Sequence, residues 1–87
     1  MHERALMVDV IRKLEQLAHD SGAARVVAVD VRLGALSHFT PDHFREHFVD
    51  ASRGTVAEGA SVRAVVDEEI DAATARDVVV EAVEVED

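Results

Sequence analysis

The chain opens Met1-His2-Glu3, and a histidine second from a free amino terminus is half of a chelate. The terminal amine, the His2 amide nitrogen and one imidazole nitrogen can close fused rings around a single divalent ion, and the Glu3 amide or carboxylate lies near enough to add a ligand. Nitrogen-rich tetragonal donor sets of this kind suit Ni(II) or Cu(II) better than Mg(II) or Ca(II). By itself the tripeptide is not specific, because a solvated helix start with an acid in its first turn reads the same way. His43 and His47 form a second constellation. Their spacing puts two imidazoles on one helix face at a separation that can bind a transition metal, with Asp42 and Glu46 close in sequence. The plainer reading, which the sequence favours, makes them solvated neighbours of an apolar stripe. His38 precedes that helix in a loop, and His19 falls late in the first helix, where a protonated imidazole suits the carboxyl end.

These side chains need elements to hold them, and the apolar residues set out those elements by period. From Glu3 to Ser21, Leu6, Met7, Val10, Ile11, Leu14, Leu17 and Ala18 recur at three- and four-residue steps, which predicts an amphipathic helix stopped by Gly22. From Arg25 to Leu33 the period becomes two: Val27, Val29, Val31 and Leu33 share one face, and Val26, Ala28, Asp30 and Arg32 the other. Thr40-Pro41 predicts an N-cap and a first helical proline. A second helix then runs to about Ser52 on the stripe Phe44, Phe48 and Ala51, and Gly54 ends it. Val62, Ala64 and Val66 mark a strand over Ser61 to Val66. In the last strand, Val78 to Glu86, the inward set shifts from Val78 and Val80 to Val83 and Val85, which predicts a bulge near Glu81 or Ala82. The acidic stretch from Asp67 to Arg76 reads as a loop with a helical turn at Asp71 to Ala75.

The expected fold is therefore α+β in the order α-β-α-β-β, with two helices packed on one face of a small mixed three-stranded sheet. The first two strands pair in parallel across the helix that joins them, and the last two form a hairpin. At 87 residues the chain makes one domain.

Composition removes several functions. There is no cysteine, which excludes disulfides, thiolate zinc sites and cysteine nucleophiles. A formal charge of −9 argues against nucleic acid and anionic membranes, both of which are bound through clustered Lys and Arg. No apolar run reaches membrane-spanning length and no leader is evident, so a cytoplasmic location is expected. The run Asp67, Glu68, Glu69 and Asp71 reads as a solvated loop rather than a general acid-base pair. Ser21, Ser37, Ser52 and Ser61 accompany no base in a nucleophile arrangement, and the glycines form no phosphate loop. The chain is not expected to be an enzyme.

Four separated segments resemble one family in order and in approximate spacing: Met1-His2-Glu3-Arg4-Ala5-Leu6-Met7, Val31-Arg32-Leu33-Gly34-Ala35-Leu36-Ser37, Arg53-Gly54-Thr55-Val56-Ala57-Glu58-Gly59-Ala60 and Val83-Glu84-Val85-Glu86. Over nearly its whole length the chain is similar to the HypA/HybF nickel metallochaperones. The resemblance implies nickel binding at His2, assisted by Glu3 and the Met1 amine, and it places the loop of His38 where that imidazole could complete the shell. It also implies delivery of Ni(II) to a nickel enzyme, foremost nickel-iron hydrogenase and in some members urease. The partners it implies are a nickel-handling GTPase of the maturation pathway and the hydrogenase large subunit; a homodimer is left open. Family members insert a zinc subdomain with two Cys-x-x-Cys pairs between the last two strands. Here residues 67–76 are a short acidic loop in that place, so the chain reads as a single nickel-binding domain over 1–87 and no structural zinc is expected. A minimal chaperone, a paralogue repurposed for protein binding and a chain from which the subdomain was excised all fit. The intact Met1-His2-Glu3 start favours the first. The alternative is a metal-free interaction module docking through Val26, Ala28 and Val65 on the second sheet face.

Overall fold

The computed structural model describes residues 2–37, 39–68, 75 and 77–87, and of His2 and Glu3 the backbone alone. Helices α1 (His2–Ser21) and α2 (Pro41–Ser52) and strands β1 (Arg25–Gly34), β2 (Ser61–Asp67) and β3 (Val78–Glu86) follow in the order α-β-α-β-β. They build the expected mixed three-stranded sheet. Its strand order is β2-β1-β3, with β1 parallel to β2 and antiparallel to β3. The expected hairpin of the last two strands does not form, because β3 lies across the sheet on the other edge of β1. The reason is backbone satisfaction in the most apolar strand. Val26, Val29, Val31 and Leu33 are all but inaccessible, so both rows of peptide groups along β1 need partners. The β2 strand pairs only with Ala28 to Gly34, whereas β3 pairs along the whole edge from Arg25 to Leu33.

Two register shifts shape the β1–β3 ladder. Asp30 pairs with Ala82 and Val31 with Val80, which leaves Glu81 as the extra residue; this is the bulge implied by the shift of apolar phase in the last strand. A second shift lies on β1, where Val26 pairs with Val85 and Ala28 with Glu84, leaving Val27 over. It corrects the simple alternation expected for β1: Val26 points into the core at 1% exposure, while Val27 is only half-buried. One extra residue reverses the facing of all that precedes it.

Both helices cover one face of the sheet. From α1 come Met7, Val10, Ile11, Leu14 and Ala18, and from α2 Phe44 and Phe48; all join the inward residues of β1 in one core. Leu17, expected in the stripe, sits on its rim and is 41% exposed. Between α2 and β2, residues 53–60 wind through successive turns with Gly54 and Gly59 at positive φ, a conformation that glycine adopts without strain. The Val26 amide donates to the Val56 carbonyl at 2.8 Å, which fastens these turns to β1 ahead of the point where β2 begins. The far face of the sheet is open and polar, with Arg32 paired to Glu81 at 2.8 Å and to Asp67 at 3.6 Å. Since Val26 faces inward, the apolar docking face expected there reduces to Ala28 and Val65. Among the described residues no helix is long and apolar enough to cross a membrane.

Candidate metal centre

The path of the chain gathers the relevant segments at one end. A short connection, residues 22–24, joins α1 to β1, and β1 ends at Gly34. Parallel pairing brings the end of β2 to the same end, where Gly34 faces Asp67, and antiparallel pairing brings the start of β3. The β1–α2 loop and the acidic β2–β3 connection therefore both leave from the end of the sheet where β1 finishes. They are fastened to each other, as Leu36 donates its amide to the Ala75 carbonyl at 2.7 Å and Gly34 donates to Asp77 at 2.8 Å. Ala75 is buried, and Asp67 ends β2 instead of beginning the acidic loop. The helical turn expected at Asp71 to Ala75 falls mostly outside the described residues.

Helix α1 begins at His2. The first four N–H groups of a helix lack intrahelical acceptors, and the His2 and Glu3 amides belong to that set. A metal can take those nitrogens without opening a helical hydrogen bond, so the backbone fits a terminal chelate. Met1 and His38 lie outside the described residues, as do the His2 and Glu3 side chains. Among the described residues, no three His, Asp or Glu side chains are grouped to hold a metal.

The start of α2 is built with unusual completeness. The Thr40 hydroxyl accepts from the His43 amide at 3.1 Å, and Pro41 follows at the first helical position. Phe39, just before the cap, is 6% exposed and packs edge-to-face on Phe44, with ring centroids 5.6 Å apart. Apolar residues on either side of an N-cap in this way form a hydrophobic staple. Sequence reading missed Phe39, although its place one residue before the cap and five before Phe44 is the signal for it. Its ring also lies against both histidines of α2, at 5.8 Å from His43 and 6.3 Å from His47. These two are not separately solvated neighbours: both are half-buried, and their Nε2 atoms stand 2.9 Å apart. His47 also lines a groove between the helices, opposite Arg4, Met7 and Ile11 of α1. His19 is exposed in the last turn of α1. Ser52 is buried and donates to the Val49 carbonyl at 3.2 Å, a structural bond.

A family model described as "Hydrogenase/urease nickel incorporation, metallochaperone, hypA" matches residues 1–76. The chain belongs to this HypA family. Among its relatives, the hydrogenase maturation factor HypA 1 of Bradyrhizobium diazoefficiens is 38% identical over 65 residues, which cover 75% of this chain and 58% of the relative. Hydrogenase maturation factor HypA of Rhodopseudomonas palustris is 43% identical over 60 residues (69% and 53%), and that of Archaeoglobus fulgidus 37% identical over 62 (71% and 56%). The chain thus spans a little over half the length of these HypA proteins. Of the segments that carry the likeness, residues 53–60 are explained by the turns between α2 and β2, and residues 31–34 by the buried end of β1.

Proposed function

We propose that this HypA-family domain is a cytoplasmic nickel metallochaperone that carries Ni(II) on the Met1 amine, the His2 amide and imidazole, and Glu3, with His38 completing the shell, and is not itself an enzyme. The carrying observation is the family match, which includes the Met1-His2-Glu3 start. The position of His2 at the head of α1 supports it, because the amide nitrogens there are free of helical hydrogen bonds. The recipient is a nickel enzyme, foremost nickel-iron hydrogenase with urease as a second candidate. The partners are the nickel-handling GTPase of that maturation pathway and the hydrogenase large subunit. Tetragonal nitrogen ligation leaves the ion's axial positions open to attack by a recipient's ligands, as delivery requires.

The test is equilibrium dialysis against Ni(II) at pH about 7.5, where an ordinary imidazole is neutral. Three proteins are compared: native, amino-terminally extended by Gly-Ser, and His2→Ala. Extension converts the amine to an amide, and His2→Ala removes the imidazole, so each should lose one equivalent of nickel with circular dichroism unchanged. Native-like binding by both variants would overturn the terminal chelate.

A further inference from the structure

We propose that His43 and His47 form a second chelating site, separate from the amino terminus, for a divalent ion of tetragonal preference such as Cu(II) or Ni(II). The argument is one of bite. Metal–imidazole bonds are about 2.0–2.1 Å long, so two of them set at 90° hold their nitrogens about 2.9 Å apart, while tetrahedral ligation needs about 3.3–3.4 Å. The two Nε2 atoms are 2.9 Å apart. That separation is a hydrogen-bond contact between the two rings, so both imidazoles already stand within the bite of one ion, nearer the 90° value of a square-planar or octahedral ion than the tetrahedral one.

The geometry is built into the chain. Spacing of four on α2 sets the two Cα atoms one turn apart. The Thr40 cap and the packing of Phe39 on Phe44 fix where that helix starts. The Phe39 ring then backs both imidazoles, which limits the rotamers they can visit and lowers the entropy cost of chelation. Without metal, one Nε2 donates its proton to the other. When an ion binds, that proton moves to Nδ1 of the same ring, and both Nε2 lone pairs face the metal with no net proton release. The protein supplies two ligands, and the other positions go to water or to groups of a recipient protein. Such a site exchanges readily. His47 borders an interhelical groove that runs along α1 from Arg4 to Glu15.

The two sites are separated by counting Ni(II) and, independently, Cu(II) bound to four proteins: native, Gly-Ser extended, the double variant His43→Ala, His47→Ala, and the double variant with the extension. The expected counts are two, one, one and none. Cu(II) on the extended protein should show electron-spin coupling to two imidazole nitrogens, and its melting temperature should rise with either metal. A His43→Gln, His47→Gln variant, which keeps the polarity, guards against misfolding of the alanine protein. If the extended protein binds neither ion, or if either double variant in the extended background binds as well as its parent, the helix site does not exist. In that event one equivalent on the native protein, lost on extension, leaves the proposed function standing. Conversely, one equivalent that survives extension and disappears in the double variant rejects the terminal chelate and keeps the helix site.

Discussion

Thr40 shows how much a single side chain arranges here. Its hydroxyl caps α2 by accepting the His43 amide, and that bond holds the turn on which Phe39 folds back against Phe44 and the two histidines. Thr40→Ala removes the acceptor and should lower stability by about 1 kcal/mol, read as a fall of about 4–8 °C in melting temperature for a domain of this size. In the Gly-Ser extended protein, where the helix pair is the proposed site, the same variant should weaken binding of Cu(II) and Ni(II) at His43 and His47, while without the extension the equivalent at the amino terminus should be unchanged. Titration of Thr40→Ala with both metals checks this. By contrast, the ion pairs of the surface, such as Arg25 with Glu86 at 2.6 Å, join exposed groups and contribute little.

At the scale of the element, α2 does more than cross between β1 and β2. Its inner face carries Phe44 and Phe48, at 0% and 1% exposure, and its flank carries the histidines, so packing the helix aims the site. Phe44→Ala should cost about 3–5 kcal/mol, a large part of the roughly 5–15 kcal/mol that holds a small domain folded. Urea denaturation should show a clear fall in midpoint. Val65→Ala, on the open sheet face at 58% exposure, should shift it by less than about 0.5 kcal/mol. The bulges at Val27 and Glu81 belong to this scale too, because each lets a strand keep its ladder while its apolar residues change phase.

The molecule as a whole is organised so that the proposed metal ligands lie outside its core. One continuous cluster, from Met7 through Leu33 to Ala64, holds both helices and the sheet together, while the proposed ligands are at a chain end and on a helix flank. The protein should therefore fold without metal. Strong chelator should leave cooperative thermal unfolding in place, and loss of the transition would contradict this. Zinc should not be retained: with no cysteine in the chain, a closed site would need four ligands from histidines and carboxylates. Elemental analysis after exhaustive dialysis should find well under one zinc per chain.

Local chemistry was legible in the sequence wherever it depends on neighbours along the chain. The cap at Thr40, the helix stops, the Glu81 bulge and the alternation of α and β elements are short-range effects, governed by backbone sterics and by periods of two and 3.6 residues. The Met1-His2-Glu3 start was equally legible, since its proposed chelate is formed by consecutive residues. What only tertiary structure decided were choices between partners distant in sequence. That β3 crosses to the far edge of β1 follows from the need to satisfy both edges of a buried strand, which no single segment displays. The reversal of Val26 and Val27 depends on a register set by β3, more than fifty residues away. The contact between His43 and His47 was available as a spacing, but its distance and its shelter arise from Phe39 packing on α2, and packing is a property of the folded chain.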